Sequence, residues 1–273
     1  MMGAVVSFVL MAVAGRAILK EINTFELMLY RSLVGLCVVL VLISLTPRRF
    51  ELLRTRVLGQ HLVRNIFHFA GQNLWFFALA AIPLSQLVAL EFTNPLWVAL
   101  LAPFLLGEAL TKQKLFVVCL GFVGVLIVAR PGVEPLAWGH VAGLGAAVGF
   151  ALNAIFTRKI MRYDSVLTVL FWMTLVQTFF AFILSLHGGI PWPSASLWPW
   201  LVIIGLTGLS AHYCLTTALG LAPATIVAPM EFIRLPVITF VGMAVYQEPV
   251  MITVFIGGVV ILIANVLNLR LKS

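Results

Sequence analysis

Four charged side chains stand inside long apolar runs of this chain: Arg31, Glu91, Glu231 and Arg234. An ionised group at the centre of a bilayer costs about 2.5–3.5 kcal/mol, so four would cost on the order of 10 kcal/mol unless paired or facing water. Packing alone gives no reason to keep them. Glu231 and Arg234 are three residues apart, hence neighbours on one helix face and able to pair with each other. Two readings follow: a static bridge tying one helix to its neighbours, or a binding surface carrying both charge signs.

The stretch Glu91-Phe92-Thr93-Asn94-Pro95 recurs 140 residues later as Glu231-Phe232-Ile233-Arg234. Its surroundings keep that offset: Ala78-Leu79 answers Ala218-Leu219, Pro83 answers Pro223, Glu108 answers Glu248, and Pro95 finds Pro236 with a one-residue slip. A shared spacing that includes carboxylates and prolines indicates an internal duplication. Asn94 holds the repeat position of Arg234, so the two copies have diverged there. The resulting asymmetric surface suits one carboxylate and one ammonium on a zwitterionic substrate.

Further polar groups lie in the third and eighth apolar runs. The third carries His68, Gln72, Asn73 and Trp75, and the eighth carries Ser210, His212, Tyr213 and Thr216; positions 72 and 73 correspond to 212 and 213 under the same offset. His68, Gln72 and Trp75 share a helix face at i, i+4 and i+7. They serve either as cavity lining or as interhelical hydrogen bonds worth only about 0.6 kcal/mol each. Trp97 and Trp172 read as core or interfacial tryptophans, and Trp192, Trp198 and Trp200 as an aromatic belt. Glu108 and Glu248 fall at helix ends near water, where a carboxylate needs no special role.

The elements that must position these residues are membrane spans. Of the 273 residues, 62% are hydrophobic and 10% charged, whereas a soluble domain carries roughly a quarter charged residues. The apolar runs are too long for barrel strands of about ten alternating residues, which leaves helices as the way to satisfy backbone groups in lipid. The expected fold is an all-α integral membrane protein with ten spans, roughly 3–20, 26–45, 62–80, 85–106, 114–130, 137–156, 165–186, 198–218, 224–246 and 250–269. Arg48, Arg49, Arg54, Arg56, Lys112, Arg158, Lys159, Arg162, Arg270 and Lys272 all fall on one side of that arrangement, so both termini are expected in the cytoplasm of a multi-pass inner-membrane protein. No basic n-region or cleavage site precedes the first run, which reads as a retained helix. Five spans per half is an odd number, so the second copy must be inverted about an axis in the membrane plane. The expected units are residues 1–131 and 136–273. Pro95 with Pro103, and Pro229 with Pro236, interrupt the fourth and ninth spans, either as packing kinks or where those spans line a cavity; the freed carbonyls need protein or water partners. Gly139/Gly143 and Gly145/Gly149 read as close-packing GxxxG spacings.

Several function classes find no support. The chain has no HExxH, nucleophile elbow, GxxxxGK[ST] or CxxC, so no enzyme activity, cofactor or metal is expected. The formal charge of +8 is spread over short connections, which argues for membrane topology rather than nucleic acid. Cys37, Cys119 and Cys214 form no pair or metal spacing and read as small buried hydrophobes.

Taken together, these residues resemble the drug/metabolite transporter superfamily in its ten-helix EamA-type branch. The resemblance spans the chain. It rests on Leu29-Tyr30-Arg31-Ser32, the repeated Ala-Leu…Pro…Glu pattern in 78–95 and 218–236, the Gly107-Glu108 and Gln247-Glu248 pairs, and Arg16 fifteen residues before Arg31. The stretch from Arg64 to Pro95 is similar to the S-adenosylmethionine transporter-like subset. The resemblance implies alternating access through a cavity lined by spans 1–4 and 6–9. Glu91 and Glu231 depart from the wider pattern, in which these positions are often uncharged.

The expected function is secondary transport of a small zwitterionic or cationic metabolite, with a coupling proton or counter-substrate as a further partner and membrane lipid around it. The expected substrate-binding residues are Arg31, His68, Gln72, Trp75, Glu91, Asn94, His212, Tyr213, Glu231 and Arg234. The alternatives are a multidrug or amino-acid exporter of the same fold, or a membrane scaffold that does not transport.

Overall fold

In lipid, a backbone N–H or C=O without an internal partner is costly, and this chain meets the requirement with helices throughout. The computed structural model describes residues 1–47, 51–106, 111–130, 137–221 and 230–271. The expected repeat boundary near 131–136 lies outside those residues, as do Arg48, Arg49, Gly107, Glu108, Pro223, Pro229 and Lys272. In chain order the helices are α1 (Met2–Ile18), α2 (Thr24–Ser44), α3 (Leu58–Ala81), α4 (Leu84–Glu91), α5 (Asn94–Leu106), α6 (Lys112–Ala129), α7 (Trp138–Ile160), α8 (Val166–Ser185), α9 (Trp198–Leu221), α10 (Arg234–Tyr246) and α11 (Ile252–Arg270). Among the described residues there is no strand. Seven segments are long and apolar enough to cross a membrane, one of them the pair α4–α5 taken together. The chain is a multi-pass membrane protein.

Local sequence sets the helix starts. The Asn23 side chain accepts from the Phe25 and Glu26 amides while the Glu26 carboxylate accepts from the Asn23 amide, a capping box that opens α2. Thr111 and Ser165 cap α6 and α8 in the same way with their hydroxyls. Pro83 stands just before α4, where its missing N–H costs nothing.

The helices pack as α3 on α7, α6 on α11, α2 on α8, α1 on α9 and α4 on α10. Two of these contacts depend on glycine. A Cβ on Gly149 would lie 2.8 Å from the Gly71 Cα, and one on Gly124 would lie 2.7 Å from the Gly257 carbonyl oxygen, so only bare backbone allows these approaches. Ile18, Leu27, Met28, Phe76, Leu79, Leu84 and Leu87 are fully buried where α1 to α4 converge. Val6, Leu10, Val41, Phe104, Phe116 and Phe240 are exposed, the apolar exterior that a membrane protein turns to lipid. Cys37 and Cys119 belong to that exterior, not to the buried core expected for them. Small and apolar, a thiol is tolerated on a lipid face as readily as inside.

Candidate functional site

The fourth span is two helices rather than one. Glu91 is the last residue of α4, Phe92 and Thr93 form a turn, and α5 restarts at Asn94. In the second copy Glu231 is helical, Phe232 and Ile233 form the same turn, and α10 restarts at Arg234. Proline explains the restart: Pro95 and Pro236 sit in the first turn of the new helices, where a missing N–H and a fixed φ are no penalty. The break strands carbonyls, because the Leu96 amide turns to Thr93 O at 2.9 Å instead of closing on Phe92 O. Asn265 of α11 fills that gap by donating to Phe92 O at 2.8 Å, and Asn268, one turn on, donates to Pro95 O at 3.3 Å. Backbone polarity at membrane depth is thus met by side chains from another helix. Sequence reasoning asked for such a partner without identifying these asparagines.

The two turns meet. Phe92 and Phe232, equivalent under the 140-residue offset, stack with centroids 5.3 Å apart. Arg234 does not pair with Glu231, which is one of the two readings their spacing allows. Its Nη2 lies 2.9 Å from Glu91 Oε1, in the other copy. The Phe232–Ile233 turn separates Glu231 from Arg234, so the i, i+3 geometry of a continuous helix does not hold across it. Glu91 Oε2 accepts from Trp75 Nε1 at 2.9 Å. The Arg234 guanidinium also lies against the rings of Phe8 and Phe92, at 4.7 and 5.1 Å, an arrangement that favours a planar cation. Among the described residues the Glu231 carboxylate has no hydrogen-bond or salt-bridge partner.

Around these turns is a cavity of about 500 Å³, within the roughly 300–1,000 Å³ usual for small-molecule sites. Nine of the ten expected residues line it: Arg31, His68, Gln72, Trp75, Glu91, Asn94, His212, Glu231 and Arg234. Tyr213 does not. It is 63% exposed on the outer face of α9, because neighbours on a helix point about 100° apart and His212 takes the inward direction. Asn73 is likewise turned aside and donates to Phe69 O at 2.8 Å. Neither Trp97 nor Trp172 belongs to the lining. Asn265 adds the last helix to a wall expected from spans 1–4 and 6–9.

Along α3 the lining is a ladder. Arg64, His68 and Gln72 are successive i+4 neighbours, and Trp75 follows one turn later. Arg31 Nη1 donates to Gln72 Oε1 at 3.1 Å. His68 Nδ1 lies 2.7 Å from Gln177 Nε2, and its ring is 5.5 Å from that of His212, edge-on. Arg64, not among the expected residues, donates to Thr157 Oγ1 at 2.6 Å. Its place one turn before His68 was the signal that could have found it.

One end of the helix bundle is held by a polar clasp. Arg16 of α1 donates to Leu79 O at 2.8 Å and Ile82 O at 2.7 Å, and pairs with Glu248. Glu248 in turn accepts from the Leu84 amide at 2.9 Å. The last carbonyls of α3 and the first amide of α4 thereby gain partners that helix ends lack. Glu248 is therefore not the bystander its position suggested. Gln247 adopts the left-handed backbone (φ 56°) that folds Glu248 back against Gly242. At the other end of α3, His61 Nε2 and Thr55 Oγ1 both contact Asp164 Oδ2, at 2.7 and 2.6 Å.

Comparison with known proteins adds to this geometry. The profile of the EamA-like transporter family matches residues 1–130 and again 137–270. A riboflavin transporter of Brucella anthropi is 28% identical over 226 residues, covering 81% of this chain and 80% of its own. An S-adenosylmethionine uptake transporter of Rickettsia prowazekii is 24% identical over 188 residues, 69% of this chain and 64% of that one. A solved crystal structure shares the fold with a TM-score of 0.67 at 17% identity, covering 100% of this chain and 97% of that chain.

Proposed function

The chain belongs to the EamA-like transporter family, and from that membership we propose that it is a secondary active transporter moving a small zwitterionic or cationic metabolite across the cytoplasmic membrane by alternating access. It is a transporter and not an enzyme. The observation that carries the finer reading is the pair of broken helices at the cavity. Glu91 is bound by Trp75 and Arg234, while the equivalent Glu231 faces the same cavity with no hydrogen-bond or salt-bridge partner among the described residues. An acidic group so placed, in a wall with aromatic rings, suits the cationic part of a metabolite or a coupling proton.

Ten spans in two inverted repeats account for the packing. The contact of α3 with α7 has its counterpart in that of α9 with α1, while α2 with α8 and α6 with α11 pair equivalents with each other. The stacking of Phe92 on Phe232 supports a two-fold axis passing close to both turns. With both termini cytoplasmic, the Arg16–Glu248 clasp closes the external end. The cavity reaches Thr157 and Met161 beside the basic α7–α8 connection, so the protein stands open to the cytoplasm. Transport then consists of undoing the clasp and closing the opposite mouth.

The test is an uptake screen in proteoliposomes, begun with riboflavin and S-adenosylmethionine because relatives are named for carrying them. Gradient-driven uptake of at least one metabolite is expected, and its absence across a broad panel would sink the reading. Topology is checked by cysteine labelling on a background without the native cysteines: Ser194 should label from outside intact cells and Arg56 should not. The reverse pattern would overturn the assigned orientation.

A further inference from the structure

The cavity holds three buried guanidiniums, and they are not alike. Arg234 is neutralised by Glu91. Arg31 and Arg64 are only 5% and 4% exposed, and among the described residues neither has a carboxylate within salt-bridge distance. Arg31 donates to the neutral Gln72 amide and its Nε has no partner. Arg64 contacts Thr157, Asn65 and the Met173 sulfur, all neutral. Hydrogen bonds are thus partly met, while among the described residues no carboxylate balances either buried charge. Such charges are retained where they face a functional cavity.

Their placement has a direction. Arg64 lies one turn to one side of His68, and Gln72, which holds Arg31, one turn to the other. The two guanidiniums therefore flank the His68–His212 contact on one wall, with the carboxylates of Glu91 and Glu231 beyond Trp75. α9 makes room for Arg31 by offering bare backbone: a Cβ on Gly208 would lie 2.6 Å from Arg31 Nη2. A guanidinium presents paired N–H donors that match an oxyanion in geometry as well as charge.

We infer that Arg31 and Arg64 form an anion-recognising pole, and that the transported metabolite carries a carboxylate or phosphate bound there, with its opposite end towards Glu231. This deepens the transporter reading and rests on it for the word transported; the binding pole itself does not. It narrows the substrate from zwitterionic or cationic to molecules that bear an oxyanion.

The purified full-length protein is tested by thermal melting with three matched probes: 3-phenylpropionate, phenyl phosphate and 3-phenylpropionamide. At about ten times the dissociation constant, one or both anions should raise the melting temperature by about 3 °C, and the amide should not. The anion giving the larger rise identifies the preferred group. Arg31→Gln and Arg64→Gln should each abolish the response, while Arg64→Lys should keep part of it. Gly208→Ala, which keeps both charges but displaces the Arg31 guanidinium, serves should Arg31→Gln fail to fold, and should weaken the response. Tyr213→Phe, on the outer face of α9, should leave it intact. Equal stabilisation by the amide, a response that survives both arginine variants, or no response to any probe would overturn the pole. In proteoliposomes, uptake of a metabolite without an anionic group, unchanged in Arg31→Gln and Arg64→Gln, would overturn it while keeping the transporter reading. Anion-dependent stabilisation without uptake of any metabolite would uphold the pole and sink that reading.

Discussion

The turns at 91–94 and 231–234 began as the same short sequence and now do different things. Each ends a helix on a glutamate, turns through a phenylalanine, and restarts two residues on. One difference, Asn94 against Arg234, separates their fates. Arg234 crosses to Glu91 and neutralises it, and no equivalent cation stands at position 94 to do the same for Glu231. In the proposed reading, the repeat supplied two equivalent acids, and the difference at 94 and 234 made one structural and left the other available. In the proposed inverted repeat, symmetry builds the cavity and broken symmetry gives it a polarity that a substrate can read.

The sharpest way to break the comparison is to remove the arginine. Arg234→Gln leaves the half-buried Glu91 without its cation, a loss of up to about 3 kcal/mol, and the melting temperature should fall by up to about 10 °C. Glu91→Gln with Arg234→Gln should recover most of that fall, because a neutral pair replaces an unbalanced charge. An unchanged melting temperature in Arg234→Gln would mean that the pair does not hold the two turns together.

Asn265→Ala probes the support behind the first turn. It deprives the Phe92 carbonyl of its donor, which should cost about 1–3 kcal/mol of stability. The loss should appear in melting curves even before transport is assayed. Tyr213→Phe should change neither stability nor uptake by a measurable amount, since the side chain faces outward. A marked loss of uptake in that variant would return Tyr213 to the site.

How much of this was legible beforehand differs from residue to residue. The helical, membrane-embedded character followed from unbroken apolar runs, and the turns were foreshadowed by Pro95, Pro236 and the recurrence around them. The partner of Arg234 was not legible. Spacing offered Glu231 as a partner, and only the turn between them, together with the meeting of the two copies, redirects the guanidinium to Glu91. Arg64 lay on the same face as three residues already selected, one turn before His68, and was not among them. Asn265 and Glu248 act across more than 160 residues of chain on Phe92 and Leu84. Such pairings depend on which helices become neighbours, and local periodicity carries no trace of them. Tyr213 shows the converse limit: adjacent residues on a helix point about 100° apart, and sequence alone did not say which of His212 and Tyr213 would reach the cavity.

The central claim is that Glu231 is kept for the substrate or a coupling proton and not for the fold. Uptake and melting of Glu231→Gln, measured side by side in the same preparation, test it most directly. The account predicts a loss of gradient-driven uptake of about tenfold or more, equivalent to about 1.4 kcal/mol or more, with the melting temperature held within about 2 °C. Retained exchange between identical substrates would assign the carboxylate to the coupling proton, and lost exchange to the substrate. Full uptake in Glu231→Gln, or a loss of uptake matched by a fall in melting temperature well beyond about 2 °C, would contradict the account.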